Sequence, residues 1–190
     1  MISGFKDAYE QPLLWDEELD LGDRKRHGRV RTVVGALAER LTARLVGGRV
    51  HKTDCTSSYC PDVSAGGVYF ESKAVGRSGQ VFVYAGRLDK DREFARRHRL
   101  VYVVWNHGAD SKLADTVAGV ERLVLTTMQA VYVVPFCAVD AACAAVEPSK
   151  LNSRYGGSDS RPEYGSGYRV PLSRFDRWVH RRYEGGYAEG

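Results

Sequence analysis

The sequence has no apolar run approaching ~18 residues, the length at which a membrane-spanning helix becomes an option, so no membrane partner is expected. Its opening residues, Met1-Ile2-Ser3-Gly4-Phe5-Lys6-Asp7, carry no apolar signal segment and turn acidic at once, which makes the cytoplasm the expected setting. Cysteine is scarce. Cys55, Cys60, Cys137 and Cys143 form no Cys-x-x-Cys pair, and His51 with Cys55 and Cys60 fits no common zinc spacing and lacks an evident fourth ligand. Free thiols in a reducing compartment are the expectation. No internal repeat is visible.

What is present fits one medium domain with a true core. The chain has 190 residues, 43% hydrophobic and 27% charged, ordinary values for a globular protein. The net charge of +4 is mild, but its distribution is uneven. Asp16, Glu17, Glu18, Asp20 and Asp23 form an acidic stretch, and Arg24-Lys25-Arg26-His27-Gly28-Arg29-Val30-Arg31 follows it. Two later segments, 87–99 and 174–182, are also rich in arginine, which outnumbers lysine and favours bidentate contacts to phosphate. Any one such run is ordinarily solvated surface. Three of them together point to nucleic acid.

Residues 1–29 read as an irregular arm, with Tyr9, Pro12, Leu13, Leu14 and Trp15 as anchors onto a partner subunit or DNA. A helix is predicted from about Val30 to Val46, where Val34, Leu37, Ala38, Leu41 and Leu45 repeat at helical spacing and Gly47-Gly48 ends the pattern. A short strand follows at 49–52. Beyond residue 73 come a glycine-rich loop (74–80), a helix that includes 88–97, and the continuous apolar run Leu100-Val101-Tyr102-Val103-Val104-Trp105, expected as a doubly covered strand. Ser111 could cap a helix over 112–128 with Leu113, Val117, Val120 and Val124 as its stripe. A buried strand is expected at 129–136 and a short helix at 138–146. Residues 30–146 thus form the core, and 147–190 a Tyr/Arg/Gly-rich extension with one amphipathic patch at 172–183.

The chain is organised around Cys60 to Lys73. Ser64-Ala65-Gly66-Gly67 supplies a turn, since two glycines allow positive φ at no steric cost. The second arm, Val68-Tyr69-Phe70-Glu71-Ser72-Lys73, is β-branched and aromatic until it meets Glu71 and Lys73. Residues two apart on a strand share a face, so Glu71 and Lys73 project together and the hairpin folds Asp62 back beside them. Asp54 competes with Asp62 but is less well placed. Oxygen ligands from Asp62, Glu71 and the Ser72 carbonyl suit magnesium or manganese, one ion or two, and such an ion does what phosphodiester hydrolysis needs. Lys73 beside it can position a water or steady the phosphate. Glu39, on the first helix, is either a solvated side chain or a further carboxylate over the site.

Pro61-Asp62, eight residues, then Glu71-x-Lys73 resembles the PD-(D/E)XK nuclease superfamily, and most of all its phage endonuclease I-type Holliday-junction resolvases. The likeness covers about residues 30–106. It implies an α/β, restriction-endonuclease-like core: a central mixed sheet flanked by helices, in the order αβββαβ, here with an added C-terminal α/β extension. It also implies magnesium-dependent cleavage of branched DNA by a homodimer in the cytoplasm of a bacterium or phage host. Asp62 and Glu71 would then serve the metal, Lys73 catalysis, and Glu39 the acidic role on the first helix. Phosphate contacts are expected from Arg24, Lys25, Arg26, Arg29, Arg31, Arg77, Lys90, Arg92, Arg96 and Arg97. Asn152, Arg154, Tyr155 and Arg161 are the candidates for reading bases. A sequence-specific restriction endonuclease and a catalytically inert nucleic-acid-binding module are the two rival expectations.

Overall fold

The computed structural model describes residues 23–51, 59–109, 114, 116–150 and 166–187, with only the backbone described for 23–29 and 150. The arm anchors, Asp54, Cys55, Ser111, Leu113 and the four base-reading candidates lie outside the described residues, as do the side chains of Arg24, Lys25, Arg26 and Arg29.

The first helix, α1, runs Asp23–Val46, beginning seven residues before its predicted start. Val30, Val33, Leu37, Ala38 and Leu41 line its buried face. Gly47, at φ +61°, stops it. The Gly48 N–H donates to the Ala43 carbonyl (2.8 Å) and that of Gly47 to the Arg44 carbonyl, the paired bonds that satisfy a last turn closed by a left-handed glycine.

Strand β1 (Arg49–Val50) pairs antiparallel with β2 (Val63–Ala65), and β2 with β3 (Val68–Val75). Ala65 faces Val68, so the loop is only Gly66-Gly67, with φ of +54° and +79°. A two-residue loop with both positions at positive φ matches the twist of the arms it joins. The expected four-residue turn is thus tighter, and Ser64 and Ala65 belong to the strand.

β3 takes the first two residues of the expected loop, and a strand that was not expected follows it. β4 (Gln80–Tyr84) leaves the main sheet and pairs with β8 (Ser166–Pro171), which in turn pairs with β7 (Ser149–Lys150). Helix α2 (Ala85–Ala95) then leads into β5 (Arg99–His107), parallel to β3 over its whole length. Helix α3 (Val117–Thr126), capped by Thr116, precedes β6 (Met128–Pro135), antiparallel to β5. Helix α4 (Phe136–Ala144) follows, and after β8 a 3-10 helix (Leu172–Trp178) leads into β9 (Val179–Arg182) on the outer side of β6.

The fold is therefore α/β around a mixed six-stranded sheet ordered β1-β2-β3-β5-β6-β9, with a three-stranded sheet β4-β8-β7 beside it. β5 is the doubly covered strand that its apolar run predicts. Val101, Val103 and Trp105 join the core under α1 and α3. Leu100, Tyr102 and Val104 join the core under α2, α4 and the small sheet. Trp105 Nε1 donates to Thr42 Oγ1 at 2.9 Å, and Arg40 pairs with Glu121, which tie α1 to β5 and α3. Cys60, Cys137 and Cys143 are free thiols, and Cys143 is buried. No described helix is long and apolar enough to cross a membrane.

Candidate active site at the open edge of the third strand

The site exists because β2 is short. Its pairing with β3 ends at Val63–Phe70, yet β3 continues to Val75, so among the described residues the last five of β3 have a strand on one side only. Backbone donors left on such an edge need partners. Asp62, the residue just before β2, supplies one: its Oδ2 accepts the Ser72 N–H at 2.7 Å. In an extended strand one residue's N–H and C=O point to the same side. The Ser72 carbonyl is therefore directed to the edge where the Asp62 carboxylate sits.

Glu71 and Lys73 point the same way, as their spacing predicts. Glu71 is almost wholly buried, at 3% exposure, and both its oxygens are ion-paired. Lys73 Nζ donates to Oε1 at 2.6 Å, and Arg87 of α2 donates to Oε2. Burial alone would raise the Glu71 pKa, but the charges of Lys73 and Arg87 outweigh it and hold the carboxyl below its usual range. Burial works against the Lys73 ammonium, while Glu71 and Asp62 more than compensate and raise its pKa.

Asp62 and Glu39 sit differently. Burial, with repulsion from Glu71, pushes the Asp62 carboxyl up to about 6 despite the Ser72 N–H and the nearby cations. Glu39 reaches the same electrostatic neighbourhood from α1: burial, then the charges of Asp62 and Glu71, push it up to about 7. Glu39 is thus partly buried and within the field of Asp62, Glu71 and Lys73, not a fully solvated side chain.

A part of the site escaped the sequence reading. Arg87 is held from four sides: by Glu71, by the Cys60 carbonyl (3.3 Å), by Asp91 one turn along α2 (3.4 Å), and by the Tyr59 ring, whose centroid lies 4.2 Å from the guanidinium. Asp91 is fully buried and accepts from the hydroxyls of Tyr59 and Tyr102. Burial, then the Glu71 charge, raises its pKa, against the tyrosine bonds and Arg87. Tyr102 is the β5 residue registered beside Glu71. The signals were Arg87 and Asp91 at a helical i,i+4 spacing, and one hydroxyl in an otherwise apolar strand.

Glu71 is thus in the field of three further carboxylates (Glu39, Asp62, Asp91) and two cations (Lys73, Arg87), a set that carries two uncompensated negative charges when all are ionised. Among the described residues no three His, Cys, Asp or Glu side chains are gathered as a ready metal cage. What the edge offers is two carboxylates and a directed carbonyl.

The predicted phosphate contacts are dispersed. Arg31 is exposed on α1, while Lys90, Arg96 and Arg97 are exposed on or after α2, which packs on the opposite face of the sheet. Arg77, in the turn after β3, donates to the Gly108 carbonyl at 3.2 Å. Arg92 is engaged by Asp89 and Asp140, both at 2.8 Å. Compared with protein-family models, curated proteins and solved structures, the chain matches none of them.

Proposed function

We propose that this protein is a metal-dependent DNA endonuclease with a restriction-endonuclease-like core, working as a homodimer because both strands of its substrate must be cut. One observation carries the reading. At the open edge of β3, the Asp62 carboxylate on the Ser72 N–H, the buried Glu71 carboxylate and Lys73 come together, each within the others' electrostatic reach. The sequence α1-β1-β2-β3-α2-β5, with antiparallel β1–β2–β3 and parallel β3–β5, supports the architectural part, β4 being an insertion.

The donor set is oxygen only and suits a hard cation, magnesium or manganese, which binds through one or two carboxylates and keeps several waters. Asp62, Glu71 and the Ser72 carbonyl would hold it. Bound there, it would neutralise phosphate charge and acidify the attacking water. Glu71 stays ionised because Lys73 and Arg87 favour its charged form. Lys73, clamped to Glu71, presents its remaining N–H donors to a phosphate oxygen or to that water. Glu39, on α1 and within the field of Asp62 and Glu71, can take the proton that the water gives up.

One observation favours the inert module instead: both Glu71 oxygens are already taken by cations, as in a purely structural ion-pair knot. Incubation with magnesium on a four-way junction, a linear duplex and single strands separates the readings. The endonuclease cuts, and Lys73→Ala lowers its rate at least about 100-fold. Cuts confined to the junction mark a resolvase, and discrete fragments of long duplex mark a restriction enzyme. Binding without cutting, or an unimpaired Lys73→Ala, rejects the assignment.

A further inference from the structure

Apart from the hairpin site, the described residues carry one strongly charged surface that the proposed chemistry does not use. Arg174, Arg177, His180, Arg181 and Arg182 are all exposed on the 3-10 helix and β9. Asp176 and Glu184 are the carboxylates among 174–184, so the stretch keeps a surplus of two positive charges with histidine neutral. None of the four arginines is in an ion pair with a described residue. Arg40, Arg87 and Arg92, by contrast, are each matched to a carboxylate.

Three guanidiniums lie over aromatic rings. Arg177 lies 3.8 Å from the Trp178 ring centroid, Arg181 5.2 Å from that of Tyr183, and Arg169 on β8 5.6 Å from that of Phe82. A stacked guanidinium keeps its N–H edges free and loses less entropy on meeting a planar or tetrahedral oxyanion than a free one does. The register fixes where this surface lies. Arg181 and Arg182 pair with Val131 and Ala130, those with Trp105 and Asn106, and those in turn with Ala74 and Val75. The arginines are therefore level with the residues just past Lys73, three strand spacings or about 14 Å away. That separation is close to the ~12 Å width of a B-DNA major groove.

Resting on the reading of the partner as DNA, we propose that β9 and its preceding 3-10 helix form a second contact surface for a DNA duplex. There Arg174, Arg177, Arg181 and Arg182 grip backbone phosphates while the hairpin site engages a strand across the groove. A second copy of this chain pairing along the outer side of β9 is the competing occupant. Arginines crowding an edge strand oppose that pairing by repulsion.

The test is binding of a labelled duplex to the full chain, with EDTA present so that nothing is cut, over a series of salt concentrations. Each phosphate contact contributes about 0.9 to the slope of log affinity against log salt. Combined Arg177→Gln, Arg181→Gln and Arg182→Gln substitutions should lower the slope by roughly 2–3 and weaken binding by about 10–100-fold near 0.1 M salt. Lys73→Ala, which removes a single phosphate contact at the hairpin, should lower the slope by no more than about one unit. If the triple variant melts early, Arg174→Gln and Arg182→Gln alone should each remove about one unit of slope. An unchanged slope overturns the proposal, as does a parent that binds no duplex at low salt. So does a variant whose sedimentation mass changes while its DNA affinity does not, since β9 is then a subunit interface. A parent that cuts DNA equally well with and without these arginines removes this surface and leaves the nuclease standing. Arginine-dependent binding with no cutting does the reverse.

Discussion

Replacing Asp62 by asparagine should stabilise the metal-free protein near neutral pH while abolishing the DNA cleavage proposed above. Asp62 titrates at about 6 in the fold against a usual 3.8, because it is half-buried beside Glu71. Below 3.8 it is protonated in both folded and unfolded chains and costs nothing. Between 3.8 and about 6 the unfolded chain ionises while the fold still holds its proton, so stability falls, and the loss is complete once the pH passes the folded value. The full shift corresponds to about 3 kcal/mol at about pH 7.5 and to about 0.5 kcal/mol at about pH 4. Solvent screening at a partly exposed group trims the upper figure to roughly 1–3 kcal/mol. Asparagine keeps an oxygen for the Ser72 N–H but carries no charge. Urea denaturation of parent and Asp62→Asn, both in EDTA, should therefore show the variant ahead by that amount at about pH 7.5 and nearly equal at about pH 4. Glu71 does not blur the comparison: its pKa is depressed, so its contribution disappears only as pH falls below the ordinary carboxylate range. A parent as stable as the variant at neutral pH, or a gap independent of pH, would refute the account of the pocket as overcharged.

The Arg87→Ala variant should lose roughly 2–4 kcal/mol in urea melts, because it strips the buried Glu71 and Asp91 of a shared cation; a loss under about 1 kcal/mol would mean the clamp is incidental. Gly67→Val should cost roughly 1–2 kcal/mol at its φ of +79°. Gly66→Asn should be nearly neutral, since asparagine accepts the left-handed region; equal melting points for these two variants would deny the tight turn its role. In the parent, titration with magnesium should raise the melting temperature more at about pH 8 than at about pH 5, where a proton on Asp62 competes with the ion for its carboxylate.

The residues around the hairpin made themselves known because their signals are local. Gly66-Gly67 needs no distant partner to be a turn, and the unbroken apolar run at 100–105 can only be covered on both faces. The i,i+2 spacing of Glu71 and Lys73 placed them together before any tertiary contact was considered. β4 was missed for the opposite reason. Val81 and Val83 alternate as a strand should, but their partner β8 lies in a glycine- and tyrosine-rich stretch that reads as tail. The helix read over 88–97 begins at Ala85, and that earlier turn is what swings Arg87 onto Glu71. The i,i+4 spacing to Asp91 is a helical signal, but no spacing rule links an arginine on α2 to a carboxylate on β3. The register that sets Tyr102 beside Glu71 likewise emerges only once β3 and β5 are parallel.

The pairing of β4 with β8 also has a consequence for the order in which the protein can be completed. About 90 residues separate Gln80 from its partner Pro171, and a ribosome adds about 5–20 residues per second. For several seconds a nascent chain therefore holds Val81 and Val83 without the strand that shields them, and β6 without β9 along its outer side. Products cut off before residue 166 never acquire either. Their β6 stays an open, aliphatic edge of the kind that recruits other chains, so a truncated copy of this protein is set up to aggregate and not merely to be inactive.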